Sequence, residues 1–265
     1  MGQNRGRVSA LILAKNEAWR ISRCLASIAW VDEIVVVDDM STDATADVCR
    51  RHGARVVQRC FDNFADQANF GLAHVTGDWV LTLDADEVVT PELAREIRDT
   101  LAAQPECAGF TFKRENHFLG HRMRYGGWHH DVLHLFRKDT GQFRGRVHYA
   151  PHLNGSVGSL KGGVAHYPFQ QLSQFIERQN RYSSMEADEL FELHGDGLRR
   201  AVRSQAVGRP LKLFWKFFVK KQGFREGMHG LVFSALFAWV HLLKWSKYWE
   251  RCNAAARPGA TTTQT

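Results

Sequence analysis

An α/β fold built on a parallel sheet is what this sequence predicts, and three observations carry the prediction. From the N-terminus to about residue 115, short β-branched runs alternate with helical stretches, the pattern of a sheet covered on both faces. The runs EIVVV at 33–37 and WVLTL at 79–83 read as buried strands. Each leads directly into acidic residues, Asp38-Asp39 and Asp84-Ala85-Asp86, at the strand edge where open parallel sheets bind ligands.

The elements follow in order. Residues 8–13 predict a first strand, 19–29 a helix and 33–37 a second strand. Ser41-Thr42-Asp43 supplies N-cap chemistry for a helix running to Arg51, and 55–58 a third strand. Residues 64–75 read as helical, Thr76-Gly77-Asp78 as a turn and 79–83 as a fourth strand. Thr90-Pro91 starts a helix to Ala102, with proline where its missing N–H costs nothing. Between 109 and 167 Gly, His, aromatic and Arg residues dominate, with short strands at 109–114, 132–137 and 164–167. A mixed-charge helix spans 173–193 and is broken at Gly195-Asp196-Gly197. The expected division is a catalytic domain over 1–170, its halves 1–115 and 116–170, then a helical membrane-associating extension over 171–252 and a disordered tail over 253–265.

Composition narrows the partners. Apolar residues make up 44% of the 265, ordinary for a folded protein and too many for a disordered one. A net charge of +7 points to a polyanion, whether nucleic acid, anionic lipid or a phosphorylated substrate. No recognised nucleic-acid-binding motif accompanies that charge, so no nucleic-acid partner is expected. Five scattered cysteines without a Cys-x-x-Cys pair suggest neither a disulfide framework nor a zinc ribbon, and fit a reducing compartment. The first apolar run ends in Lys15-Asn16-Glu17 with no cleavage site, and reads as a strand rather than a signal peptide.

The two acidic clusters match the two needs of a nucleotide-diphosphate sugar. VVVDDMSTDAT offers Asp39 as an acceptor for a ribose hydroxyl or a base N–H. LTLDADE suits a hard divalent cation, Mg²⁺ or Mn²⁺, which bridges to phosphate oxygens and neutralises a departing diphosphate. An acidic flank for the Pro91 helix is the bland alternative for Asp84 to Glu87. The conjunction of two strand-terminal acidic sites, one βα unit apart, favours the functional reading.

ILAKNEAWRISRCLASI, VVVDDMSTDAT and GDWVLTLDADE resemble the consecutive motifs of family 2 glycosyltransferases. FADQANFGLAHVTGDWVLTLDADE, GGWHHDVLHLFR, GRVH and HYPFQQLSQFIERQNRYSSMEA extend the resemblance, over roughly residues 8–250, to bacterial lipopolysaccharide core β-glucosyltransferases. It implies the A-type glycosyltransferase (Rossmann-like) nucleotide-diphospho-sugar transferase fold with a C-terminal helical extension. It implies Lys15, Asn16 and Glu17 near the nucleotide, Asp39 on uracil or ribose, Gln67 facing the donor, Asp84 on the ribose side and Asp86 as principal metal ligand. A late histidine completing the cation site would be His166, a core histidine being the alternative. For Asn16 and Glu17 the alternative is a capping turn, and for Gln67 an ordinary polar helix position.

Inverting transfer needs a base for the acceptor hydroxyl. Related sequences carry His-Glu after Arg-Val, whereas this one reads Arg146-Val147-His148-Tyr149. Asp131 and His148 are the candidates to replace that glutamate. A loop carboxylate paired with Arg124 or Arg137 is the alternative for Asp131, and a structural hydrogen bond for His148. His130/His134 and His148/His152 are each four apart, but on segments read as strands and turns, so a helical zinc pair is not expected.

Residues 210–218 predict a basic amphipathic helix, with Leu211, Phe214, Trp215 and Phe218 on one face and Lys212, Lys216 and Lys220 on another. The uncharged stretch 227–243 has seventeen residues, at the short limit for a span, and Lys244, Trp245, Lys247, Tyr248 and Trp249 follow. These helices pack on the catalytic domain or lie in an anionic headgroup region; the Trp/Lys mixture favours the second. The expectation is a cytoplasmic enzyme, peripheral on the inner membrane's cytoplasmic face, using a nucleotide-sugar donor, UDP-glucose, and a lipid-linked saccharide acceptor. Transfer to a polyprenyl phosphate, or a non-catalytic membrane-binding module, are the alternatives.

Overall fold

The computed structural model describes residues 6–145 and 150–255. Its first half runs β1 (Val8–Ala14), α1 (Ile21–Ser27), β2 (Glu33–Asp38), α2 (Thr45–Arg51), β3 (Arg55–Gln58), α3 (Phe64–His74), β4 (Trp79–Asp84), β5 (Glu87–Val89) and α4 (Pro91–Ala102). β1 pairs in parallel with β2 and β4, and β2 with β3. The strands are apolar on both faces because both are covered. Ala10, Ile12, Val36 and Leu81 point into a cluster with Ile21, Leu25 and Ile97, while Leu11, Val35, Val37 and Val80 point into one with Ala65 and Ala68. Gly71 of α3 permits that second packing, since a Cβ there would lie 2.4 Å from the Leu11 side chain.

Helix starts follow local chemistry. Asn63 Oδ1 accepts the Asp66 N–H at 2.9 Å to open α3. Thr90 Oγ1 accepts the Leu93 N–H at 3.2 Å ahead of α4, with Pro91 in the first turn. At α2 only Asp43 of the expected capping trio serves the helix, accepting the Thr45 N–H at 2.9 Å. Ser41 and Thr42 bond across to Asn16 instead.

The second half adds β6 (Gly109–Phe118), β7 (His121–Arg122), β8 (Asp131–Arg137), β9 (Gly141–Arg144), β10 (Ala150–Leu153), β11 (Val157–Phe169), α5 (Leu172–His194), α6 (Arg209–Trp215) and α7 (Gly227–Ala255). Among the described residues the main sheet has the order β3-β2-β1-β4-β8-β6-β11-β5, with β7 on β6; β9 and β10 pair separately. β8 runs antiparallel to β4, and β11 antiparallel to β5. β5 is absent from the sequence expectation, since three residues between an acidic triplet and a helix cap carry no strand signal. It forms because β11 offers Val164–His166 as a pairing edge.

The chain divides into two compact units, Met1–Asn116 with His129–Tyr167, and His117–Trp128 with Pro168–Thr265. The first holds the parallel strands and both clusters above. The second is helical, with an aromatic core of Phe118, Phe169, Phe175 and Phe233 and a further cluster of Ala187, Trp245, Tyr248 and Cys252. Residues 121–125 belong to it because buried Glu226 accepts the Arg124 and Tyr125 N–H groups, each at 2.6 Å, and contacts His121 Nε2 at 2.6 Å. α7 is stapled to α5 by Lys247 Nζ, which donates to Asn180 Oδ1, Ser183 Oγ and Ser184 Oγ at 2.7–2.9 Å. α7 includes Asn253–Ala255, the first residues of the segment expected to be a tail, and 256–265 lie outside the described residues.

Candidate active site

The carboxyl ends of β1, β2 and β4 carry the acidic residues. Asp39 directly follows β2; its N–H donates to the Ala14 carbonyl at 2.9 Å, which pins it beside the end of β1. Its Oδ2 accepts Lys15 Nζ and its Oδ1 the Phe61 N–H, at 2.8 and 2.9 Å. A carboxylate has about four lone-pair sites, so both oxygens retain acceptor capacity toward a ligand. Asn16 adopts a left-handed backbone, φ 54°, and braces the neighbouring loop through Ser41 Oγ at 2.9 Å and the Thr42 N–H at 2.8 Å. The Glu17 carboxylate binds Arg20, and its carbonyl accepts the Ile21 N–H at 2.9 Å in the turn leading into α1. Gln67 is buried on α3 and donates to the Arg59 carbonyl at 2.9 Å.

Asp84 ends β4, Asp86 sits in the following turn and His166 lies on β11. One ligand atom from each lies within 4.8 Å of the others. The convergence follows from the β5–β11 register, which sets His166 opposite Glu87, one residue beyond Asp86; the Tyr167 N–H donates to the Asp86 carbonyl at 2.9 Å. His166 Nε2 is 3.4 Å from Asp86 Oδ1, and His166 Nδ1 is 2.5 Å from Asn116 Oδ1, itself fully buried. Two carboxylates and an imidazole suit a borderline-hard divalent ion such as Mn²⁺. Bonds of about 2.1 Å put ligand atoms at most about 4.2 Å apart, so a contraction of roughly half an ångström would close the set.

Arg20 and Arg114, which carry no motif signal, complete the electrostatics together with Glu87 and His134. Arg20 Nη1 lies 3.0 Å from Asp86 Oδ2, and Arg114 binds Asp84. Fully buried Glu87 lies 2.7 Å from Arg114 Nε and 3.5 Å from His134 Nε2. Burial pushes the Glu87 carboxyl up, but His134 and Arg114 outweigh it and hold it at about 2. Burial works to lower Arg114, while Glu87, Asp84 and Asp86 raise it further, so it stays cationic. His134 owes its aim to a break in the strand: Phe110 pairs with Leu135 and Thr111 with Leu133, leaving His134 unmatched on β8. Glu87 was visible in LTLDADE, and its burial was not.

Asp131 opens β8 as an exposed residue in register with Lys113. His148 lies outside the described residues. The adjacent His130 has its pKa lowered, by burial and then by Arg114, His166 and His134, which favours the neutral imidazole. A neutral imidazole can accept a proton.

The chain is similar to known glycosyltransferases. The chain is 27% identical to a glycosyltransferase of Rickettsia bellii over 278 residues, covering 97% of this chain and 92% of that protein. It is 26% identical over 264 residues to the lipopolysaccharide core biosynthesis glycosyltransferase LpsC of Rhizobium meliloti, covering 95% of each. Among solved structures, S. aureus TarS 1-349 in complex with UDP-GlcNAc superposes with a TM-score of 0.48 at 14% identity, over 94% of this chain and 91% of that one. The match to Glycosyl transferase family 2 spans residues 9–157, from β1 to the first residue of β11 and so through both acidic clusters. With that match over more than half of its length, and with the A-type fold those strands build, the chain belongs to glycosyl transferase family 2 and is a glycosyltransferase.

Proposed function

We propose that the enzyme transfers a hexose, glucose from UDP-glucose, with inversion to a lipid-linked saccharide acceptor of the lipopolysaccharide core, at the cytoplasmic face of the inner membrane. The convergence of Asp84, Asp86 and His166 beside the sheet edge that presents Asp39 carries this reading. The likeness to the lipopolysaccharide core enzyme of Rhizobium meliloti supports the acceptor class. Asp39, oriented by Lys15, accepts a hydrogen bond from the uracil or ribose. Asn16 and Glu17 shape the loop around the nucleotide, and Gln67 holds the wall facing the donor. Asp84, Asp86 and His166 hold Mg²⁺ or Mn²⁺, with Asp84 also toward the ribose. The ion, when bound, supplies Lewis-acid neutralisation of the leaving diphosphate. Arg20 and Arg114 hold the two carboxylates in place between turnovers. The acceptor proton goes to Asp131, His148 or the neutral His130.

Incubating the purified chain with a panel of UDP-sugars, truncated core acceptors and Mn²⁺ or chelator tests this by mass spectrometry. Metal-dependent growth of a core acceptor by one hexose is expected. Product extractable into organic solvent with a polyprenyl phosphate would move the acceptor class, and absence of transfer across the panel would overturn the reading. The base is then the member of Asp131→Asn, His148→Gln and His130→Gln that lowers kcat at least about a hundredfold and removes the acidic limb of the pH profile.

An amide oxygen that accepts from Nδ1–H selects the tautomer whose Nε2 carries the lone pair, the one a metal needs. Asn116→Leu is therefore expected to weaken Mn²⁺ binding about 10- to 100-fold by calorimetry, with Asn116→Asp restoring it.

A further inference from the structure

The chain's positive charge is concentrated. Residues 197–225 contain nine Lys or Arg and no Asp or Glu, against +7 for the whole protein, so the remainder sums to −2. The same segment exposes large apolar side chains. Val207, Leu211 and Trp215 are 58%, 69% and 57% exposed, and Phe224, at 54%, joins them through ring contacts with Phe218, itself stacked on Phe214. Val207, Leu211 and Trp215 are four apart along a continuous helical run, α6 with a π-helical turn on either side, Ser204–Gly208 and Lys216–Lys220. That spacing puts them on one face. Lys212, Lys216 and Lys220 follow at a constant offset and are exposed, as are Arg203, Arg209, Lys221 and Arg225.

α7 is long and apolar enough to cross a membrane by composition and keeps Met228, Leu231 and Leu242 exposed, but one side of it is engaged within the helical unit. Phe233 and Trp245 are buried in the two cores of the helical unit, and Tyr248 OH donates to the Gly195 carbonyl at 2.7 Å. Lys244 pairs with Glu186 at 2.9 Å, and Lys247 is bonded to α5. Of the five Trp, Tyr and Lys residues expected at a headgroup boundary, only Trp249 is exposed. An exposed apolar row on a segment with nine cations and no acidic residue complements an anionic leaflet: the aliphatic and indole groups enter the acyl boundary while lysine stems reach the phosphates.

We propose that residues 203–225 are a monotopic docking surface for anionic phospholipid, with Leu211 and Trp215 inserted and Lys212, Lys216 and Lys220 on the headgroups, while α7 stays packed on α5 and does not span. The proposal deepens the lipid-linked acceptor reading, and it fails separately from it. Flotation of the full chain with phosphatidylcholine vesicles, with and without phosphatidylglycerol, is the test. Wild type floats with the anionic vesicles and is released by high salt or alkaline carbonate. Leu211→Ser/Trp215→Ser partitions at least about tenfold less. Lys212→Gln/Lys216→Gln/Lys220→Gln loses roughly fivefold per lysine on anionic vesicles only. Both variants keep wild-type turnover on a soluble truncated acceptor, the readout that separates this proposal from the catalytic reading. Equal partitioning of wild type and Leu211→Ser/Trp215→Ser overturns it. So does extraction only by detergent, which would make α7 a span, or retention on RNA with no flotation, which would make the patch a polyanion site.

Discussion

Asp86→Asn is expected to lower kcat by about a thousandfold and to weaken Mn²⁺ binding in parallel. The carboxylate is buried between Arg20 and His166, at 3.0 and 3.4 Å. Asparagine keeps its shape and one carbonyl acceptor, so Arg20 stays anchored by Glu17 and the fold survives. What disappears is the anionic ligand, and with it several kcal/mol of charge stabilisation on the leaving diphosphate, which at about 1.4 kcal/mol per decade gives the stated factor. Asp84→Asn should cost less, because Asp84 is the half-exposed member and Arg114 already holds it. Steady-state UDP release against metal concentration measures both. Full activity of Asp86→Asn with unchanged metal dependence would remove the cation site from the triplet.

Glu87→Gln should be the most damaging single change to stability near the site, costing on the order of 3 kcal/mol, because it removes the buried one of two counter-charges from half-buried Arg114 and leaves only Asp84 in contact with it. Acid titration shows the same interaction. The folded-state pKa is about 2 against an ordinary value of 4.5, so the carboxylate's contribution is complete above about pH 4.5 and is lost as pH falls toward 2. Wild-type denaturation midpoints should fall over that window, and Glu87→Gln should show a flatter dependence from a lower plateau. Arg114 freed from Glu87 turns wholly to Asp84, so Mn²⁺ affinity should fall too. Chemical denaturation at a series of pH values, followed by metal titration at neutral pH, checks both. A variant as stable as wild type would mean that Arg114 is solvated rather than held.

The sequence alone places Asp39 and the Asp84-Ala85-Asp86 triplet at strand ends, because strand, turn and cap signals act over a few residues and both clusters lie within that range. The first four strands begin where the pattern placed them. Signals that depend on distant partners behaved differently. Asn16, read as lying near the nucleotide or in a capping turn, spans to Thr42 through its side-chain oxygen. Gln67, read as facing the donor or as a polar position on a helix, is buried and donates to the Arg59 carbonyl. Lys244 and Lys247 read as headgroup ligands, and they bind α5.

By itself, then, the sequence determined the α/β class, the order of the acidic sites and the family, since periodicity and short motifs encode these locally. Only the tertiary structure decided that His166 meets Asp86, that Asn116 orients it and that Arg20, Arg114 and Glu87 set the charge around it. These contacts join residues 27 to 80 positions apart, and those of His166 depend on the pairing of β5 with β11, which exists only once the sheet closes around them.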